Sequence, residues 1–172
     1  MLNGKPLGDE FQSAGDSVFG NGWRFQFNLI PSEPGSVYLL SVGPGKDGTP
    51  EYNILFPLPG VGASSAQIGA NKILKSRRLT FVDQTGLEKL WIIWSVQEIP
   101  ELNTIFSNAA HDENNPGTIT SDDEIAKVET YLALLRDTAH SQVSPNKENK
   151  RTSVKGRGDI LVAVVELPHE AY

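Results

Sequence analysis

Short apolar segments of strand length, most of them close to glycine or proline, recur between residues 23 and 95 and again near the C-terminus. In the first, which covers Trp23–Ile30, apolar residues alternate with polar ones from Trp23 to Leu29, which is the period-two pattern of a strand with one buried face. Five further segments have the length and composition of strands: Ser36–Val42, Tyr52–Phe56, Leu79–Val82, Glu88–Ser95 and Asp159–Leu167. This succession predicts a mainly β fold.

One long segment has a different period. Four apolar residues recur at helical spacing within residues 122–137, namely Ile125, Val128, Leu132 and Leu135. Ser121 and Glu124 fit a capping box at its start, and Pro100 is suited to the first turn of a shorter helix. Strands that precede one late helix and a last strand predict an antiparallel β-sandwich-like domain with one main α-helix late in the chain.

The segment Leu90–Trp94 is apolar without alternation, as expected for a central strand covered on both faces. Trp91 and Trp94 are three residues apart, so their side chains should point to opposite faces of the sheet. We therefore expect one tryptophan in the core on each side.

Length and composition restrict the classes of protein to be considered. A chain of 172 residues suits one domain. We expect a flexible lead-in over residues 1–18 and a single domain over 19–169, with a polar, mobile loop at 141–158. The net charge of -6 argues against a nucleic-acid partner, and no apolar run approaches the roughly 20 residues of a membrane span. Cysteine is absent, which excludes disulfide bonds and thiol nucleophiles. We expect a cytoplasmic protein, and a secreted or surface structural module is an alternative that the missing cysteines permit.

Basic residues cluster in the polar segment near the C-terminus. Five of them lie between positions 147 and 157, with Glu148 as the single acid: Lys147, Lys150, Arg151, Lys155 and Arg157. The segment therefore carries +4, whereas the rest of the chain carries -10. A phosphate-bearing partner could bind there, although a solvated loop that balances an acidic body explains the same residues. No aromatic residue is interleaved for base stacking.

Two other groups of residues are weaker candidates, one for a catalytic serine and one for a metal site. Ser64 and Ser65 lie in a sequence close to the elbow of serine hydrolases, but prolines precede it, no helical pattern follows it, and a flexible loop explains it. The acidic region from His111 to Asp123 offers oxygen ligands for a cation such as calcium. It lacks the ordered spacing of a calcium loop, and a solvated acidic loop before a capped helix accounts for it.

Several separate motifs, in this order, resemble a known bacterial family. They are Phe25–Phe27, Gly35–Leu40, Asn53–Pro57, Asp83–Ser95, Pro100–Leu102, Gly156–Val162 and Glu166–His169. Together they resemble the domain-of-unknown-function family numbered 4384, over roughly residues 19–169. Pro168 departs from the pattern, which suggests that the last strand ends early. The resemblance implies a domain commonly appended to serine/threonine protein kinases or caspase-like peptidases, and it implies no catalytic residues.

We therefore predict a non-catalytic accessory interaction or sensing module of a bacterial signalling protein, without a cofactor. Its partner would be another protein, or a kinase or peptidase domain in the same chain. The predicted contact surface is either an exposed strand edge or the basic residues 147–157. The alternative is a small hydrolase or metal-dependent enzyme that uses Ser64, Ser65 or the region from His111 to Asp123.

Overall fold

The structure is a computed structural model that describes residues 12–15, 17–45, 48–58, 65–81, 85–138 and 141–170. Over these ranges the chain forms thirteen strands and two helices. The helices are α1 (Pro100–Ala110) and α2 (Asp122–Thr138). The strands are β1 (Phe19–Gly20), β2 (Arg24–Phe25), β3 (Asn28–Leu29), β4 (Gly35–Pro44), β5 (Pro50–Phe56), β6 (Gln67–Ile68), β7 (Leu74–Lys75), β8 (Leu79–Thr80), β9 (Gly86–Ser95), β10 (Thr118–Ile119), β11 (Ser141–Asn146), β12 (Arg151–Gly156) and β13 (Ile160–Glu170).

Seven strands form the main sheet, in the order β1-β13-β9-β4-β5-β10, with β6 also paired to β4. The pairings are antiparallel except for that of β1 with β13. At the centre, β9 pairs with β13 over ten residue pairs and with β4 over seven. The mainly β, mostly antiparallel fold predicted from the sequence is confirmed.

Both faces of the central strands are covered. Trp91 lies in the core under the helices, whereas Trp94 packs in the core on the opposite face, as their spacing predicts. The helix face also carries Tyr38, Leu40 and Ile93, and the opposite face carries Val37, Leu39 and Leu90. Because both faces are buried, the apolar residues of β4 and β9 do not need to alternate with polar ones.

The two helices form the layer on one face of the main sheet. Pro100 occupies the first turn of α1, as predicted, and α1 buries Leu102, Ile105 and Phe106. In α2, Val128, Leu132 and Leu135 are buried at the predicted helical spacing. The late helix is confirmed, and α1 accompanies it.

Four two-residue strands lie on the opposite face, where β2 pairs with β8 and β3 pairs with β7. This small second β layer makes the domain sandwich-like. The prediction of one strand from Trp23 to Ile30 is wrong, because the segment divides into β2 and β3. Between them, the Phe27 amide donates to the Ser76 hydroxyl at 3.0 Å, and Gln26 Nε2 donates to the Ser76 carbonyl at 2.7 Å.

The polar segment 141–158 contains a β-hairpin and is not simply a loop. Strands β11 and β12 pair antiparallel over six residue pairs, from Ser141 with Gly156 to Asn146 with Arg151. The sequence shows little of this, because Val143 and Val154 are the only large apolar residues within the two strands. Their backbone pairing creates the strands without a strong alternating pattern.

The prediction that Pro168 ends the last strand early is also wrong, since β13 continues to Glu170. The Val162 amide points away from β9, because it donates to the Ser141 hydroxyl at 3.0 Å. Backbone groups alternate in direction along a strand, so the nitrogen of Pro168 also points away from β9. Proline therefore removes no hydrogen bond between β13 and β9, and the strand tolerates it.

Residues upstream of the expected boundary at position 19 pack on the domain. Ala14 is buried, and its carbonyl accepts a hydrogen bond of 2.6 Å from the Thr152 hydroxyl of β12. A Cβ added at Gly15 would lie 2.9 Å from Val165 of β13. Residues 12–15 thus connect the hairpin to the main sheet.

Candidate functional site

The predicted basic residues lie on the hairpin β11–β12. Arg151 and Lys155 lie in β12 and alternate with the half-buried Thr152 and Val154, so the two cations share the exposed face. Lys147 and Lys150 lie in the turn that joins the two strands. Arg157 follows directly after β12 and is exposed. The hairpin therefore presents cations at its tip and along one face.

The hairpin is held against the domain by the side opposite these cations. Thr152 donates to the Ala14 carbonyl, and Ser141 accepts from the Val162 amide of β13. These contacts fix both strands of the hairpin, because Thr152 lies in β12 and Ser141 lies in β11. The basic face is thus attached to a defined part of the fold.

Strand edges were the second predicted contact surface. By strand order, the main sheet ends at β1 on one side and at β10 on the other, and each of these strands has two residues. Each hairpin strand has six residues. The hairpin is therefore the longer of the two candidate surfaces.

Of the two candidate serines, Ser64 lies outside the described residues. The Ser65 hydroxyl lies at the wall of a cavity of about 300 Å³ that Glu98, Asn103 and Ser107 also line. It accepts a hydrogen bond from the Gln67 amide at 3.1 Å and lies 3.5 Å from a Glu98 oxygen. A serine nucleophile needs a base beside it, usually histidine. Ser65 has a carboxylate beside it and not a histidine, and its hydroxyl also stabilises the start of β6. The hydrolase alternative stays a prediction.

The acidic region from His111 to Asp123 uses its polar groups locally. His111 Nδ1 donates to the Ser107 carbonyl at 2.6 Å. The Asp112 carboxylate accepts hydrogen bonds from the amides of Asn115 and Asn114 and from the Thr120 hydroxyl, and these bonds lower the pKa of Asp112. No group of three or more metal-ligating side chains is present in the described part of the chain. The metal-dependent alternative stays a prediction.

The structure also assembles a polar cavity that the sequence analysis missed. Its volume is about 110 Å³, and it lies on the face of the short strands, near the end of β4 and the start of β5. Its polar lining consists of Glu51, Asn53, Thr80, Glu88 and His169. Phe25 and Phe81 form apolar walls. These residues come from β2, β5, β8, β9 and β13 and from the residue after β8.

Asn53 is the centre of a hydrogen-bond network beside this cavity. Its Oδ1 accepts from Arg77 Nη2 at 3.2 Å and from the Thr118 hydroxyl at 2.8 Å, and its Nδ2 donates to Glu51 at 2.8 Å. Arg77 also donates to the Pro116 carbonyl at 3.0 Å. The network fixes Glu51 in place and brings a guanidinium to the same amide group.

Glu88 reaches the cavity across β4 because position 43 is glycine. A Cβ at Gly43 would lie 1.6 Å from one Glu88 carboxylate oxygen, so any larger residue would displace that side chain. Burial raises the pKa of Glu88, the Ser41 hydroxyl lowers it, and the charge of Glu51 raises it further. The site thus holds a carboxyl group where its ionised form is poorly solvated.

His169 closes the other side of the cavity. The residue is 4% exposed, and its Nε2 atom has no hydrogen-bond partner among the described residues. Its ring stacks on Phe81, with a centroid distance of 4.9 Å and an interplanar angle of 28°. Burial lowers the pKa of His169, which favours the neutral imidazole.

One sequence signal could have indicated this site. Side chains at even positions of β9 share a face, so Glu88 points the same way as Leu90 and Ile92, towards the core. A carboxylate on an otherwise apolar strand face is an exception to the strand pattern, and such exceptions mark candidate functional positions. His169 gave a comparable signal, because it lies on the same face of β13 as Val165 and Leu167. Glu51 gave no such signal, and only the strand order brings it to Glu88.

Comparisons with protein-family models, with curated proteins and with solved structures found no match to this chain. The resemblance to family 4384 therefore stays a prediction. Within the described ranges, neither helix combines the length and the apolar character needed to cross a membrane.

Proposed function

We propose that this domain is a non-catalytic interaction module, and that the basic face of the hairpin β11–β12 binds an acidic segment of a partner protein. The observation that carries the proposal is the placement of Arg151 and Lys155 on one exposed face, beside the lysines of the turn. Opposite charges across an interface steer association and set its orientation. An acidic segment is the complementary occupant of a +4 surface.

The attachment of the hairpin supports the same proposal. Thr152 and Ser141 bond to the rest of the domain, which leaves the opposite face of the hairpin for a partner. A surface held in one conformation loses less conformational entropy on binding than a free loop does. The bacterial signalling context, with a kinase or caspase-like peptidase in the same chain or complex, is part of the proposal and rests on the resemblance alone.

Charge reversal of the hairpin tests the contact surface. The triple variant Lys150→Glu, Arg151→Glu, Lys155→Glu should weaken binding of a fluorescent ten-residue glutamate peptide by at least about tenfold, because each exposed ion pair contributes roughly 0.2–1 kcal/mol and reversal adds repulsion. Binding by the wild-type protein should also weaken as salt is raised. Fluorescence anisotropy at two salt concentrations measures both effects.

A matched control separates local contact from net charge. Lys72, Lys75 and Lys127 are exposed and lie outside the hairpin, so reversing these three changes the net charge by the same amount. The control variant should keep most of the peptide affinity. Equal losses in the two variants, or no loss in the hairpin variant, would contradict the proposed surface.

The signalling context needs a separate measurement on the native protein. An antibody to this domain should capture, from source cells, a species that carries kinase or peptidase peptides, either in the same chain or as a companion. Intact mass and peptide mass spectrometry distinguish these cases. Capture of the domain without either enzyme would overturn the kinase or peptidase context and leave the hairpin proposal to its own test.

A further inference from the structure

We propose that the cavity between Glu88 and His169 is a binding site for a small ligand that carries a primary ammonium group. This site is separate from the basic hairpin and goes beyond the proposed interaction function. The argument rests on the charge, the unused hydrogen-bonding capacity and the size of the cavity.

The charge of the lining favours a cation. Two carboxylates, Glu51 and Glu88, line the cavity, and among its described lining residues there is neither lysine nor arginine. Arg77 lies beside the cavity and shares Asn53 with Glu51, so its positive charge is placed to balance that carboxylate. Glu88 has no such counterion in this network, and a ligand with one positive charge would complement it.

The free hydrogen-bonding groups indicate the same kind of ligand. Asn53 is occupied by Arg77, Thr118 and Glu51. Glu88 remains as an acceptor, and the unpartnered, buried Nε2 of His169 can accept as well when the neutral ring carries its proton on Nδ1. A buried polar atom without a partner costs free energy, and a ligand can remove that cost. An ammonium group supplies three donors.

The size and walls of the cavity fit a small organic cation. A volume of about 110 Å³ is far larger than the roughly 10–15 Å³ that one water molecule needs. Phe25 and Phe81 form aromatic walls, and aromatic faces attract cations within about 6 Å. Glu51 and Thr80 are exposed lining residues, so the cavity has a side that faces solvent. A short alkylammonium group matches these features.

Histidine NMR provides a direct test with ethylammonium chloride as the probe. In protein labelled on its histidine rings, the signals of His169 should shift and saturate as ethylammonium is added, whereas those of the exposed His111 should stay unchanged. Ethanol, sodium acetate and calcium chloride at matched ionic strength serve as neutral, anionic and metal controls. These additives should give no saturable shift at His169.

Two variants assign the effect to Glu88. Glu88→Gln keeps the shape of the side chain but removes its charge, and it should weaken ethylammonium binding by at least about tenfold. Gly43→Ala should weaken it as well, because the added Cβ displaces the Glu88 carboxylate. Glu113→Gln, at an exposed glutamate outside the cavity, is the matched control and should bind like the wild-type protein.

Three results would overturn the proposal. The first is the absence of a saturable shift of His169 in the wild-type protein, which requires no variant to fold. The second is a comparable shift with ethanol, acetate or calcium. The third is unchanged ethylammonium affinity in a folded Glu88→Gln protein, with folding judged from the His111 signals and thermal unfolding.

Discussion

The buried hydroxyl of Tyr38 connects the main sheet to the start of α1. Tyr38 is fully buried, and its hydroxyl accepts from the Ile99 amide at 2.8 Å and donates to Asn103 at 2.9 Å. Ile99 is the N-cap residue of α1, and the next residue, Pro100, has no amide hydrogen. The Tyr38→Phe variant keeps the ring but leaves the buried Ile99 amide without its acceptor.

The expected cost of Tyr38→Phe follows from that unpaired amide. A buried donor left without a partner costs about 1–3 kcal/mol, which exceeds the net value of an ordinary hydrogen bond. With a urea dependence of about 2 kcal/mol per molar, this loss lowers the unfolding midpoint by roughly 0.5–1.5 M. Fluorescence of the three tryptophans can follow the transition. The slope of the transition should not change, because the surface exposed on unfolding stays the same.

Tyr52→Phe is the matched control for this prediction. Tyr52 is also buried, but its hydroxyl donates to Glu129, whose side chain is exposed. Water can replace the tyrosine hydroxyl at Glu129, so the loss should be below about 1 kcal/mol. If Tyr38→Phe stays within about 0.5 kcal/mol of the wild-type protein, or costs no more than Tyr52→Phe, the reasoning about the Ile99 amide is refuted.

Three further predictions concern backbone packing and ionisation. Gly35→Ala places a Cβ 2.6 Å from the Ser95 carbonyl oxygen and should lower stability in urea by about 1–3 kcal/mol. Gly69→Ala is the control and should be close to neutral, because its Cβ would lie 3.4 Å from the nearest atom, on the Lys72 side chain. Equal effects of the two variants would contradict the packing argument. Burial, more than any other cause, raises the pKa of Tyr52 to about 12. The contribution of Tyr52 to stability is therefore complete below the unfolded-state pKa of about 10, and it should be lost as pH rises towards 12. Burial also raises the pKa of Tyr38 and of Tyr131, so the test is the difference in ultraviolet titration between the wild-type protein and Tyr52→Phe. That one-tyrosine difference should ionise towards pH 12, and a difference that ionises near pH 10 would disprove the assignment. Burial likewise raises the pKa of Glu88, so the contribution of Glu88 to stability is lost as pH rises through its pKa in the folded protein. Glu88→Gln should therefore be at least as stable as the wild-type protein in thermal unfolding at pH 7. Clear destabilisation of this variant would contradict the prediction.

The long elements were predictable because their patterns are local. The apolar segments of β4, β9 and β13 and the helical spacing of α2 each depend on the residues within the element itself. The spacing of Trp91 and Trp94 also gave their faces correctly. Where burial of a long, periodic segment decides the structure, the sequence alone is sufficient.

The short strands and the hairpin could not be predicted in the same way. Arg24 pairs with Thr80, and Asn28 pairs with Lys75, across about fifty residues of sequence. Two-residue strands contain too little pattern to show a period, so their partners determine them. Residues 141–156 are polar enough to suggest a loop, and only the pairing of β11 with β12 makes them strands.

The two candidate sites also differ in whether their residues are close together or far apart in the sequence. The basic residues of the hairpin are contiguous in sequence, so their clustering was visible even though the strand that carries them was not. The cavity residues Glu51, Glu88 and His169 are far apart in sequence and meet through the strand order β13-β9-β4-β5. Glu88 and His169, as polar residues on otherwise apolar strand faces, carried a local signal, whereas Glu51 carried none.

Glu88 distinguishes a structural role for the cavity from a binding role. A buried carboxylate destabilises a fold unless other groups compensate for its desolvation, and Gly43 is needed to make room for it. If the cavity served stability alone, replacing Glu88 by glutamine would carry no cost in binding. If the cavity binds an ammonium group, Glu88→Gln should preserve or raise stability and should remove affinity for the ligand. This trade-off is expected of a binding residue that lowers the stability of the fold around it. Tyr38→Phe should do the reverse, because its hydroxyl lies among the helices on the other face of the sheet: stability falls and ethylammonium affinity in the folded protein remains.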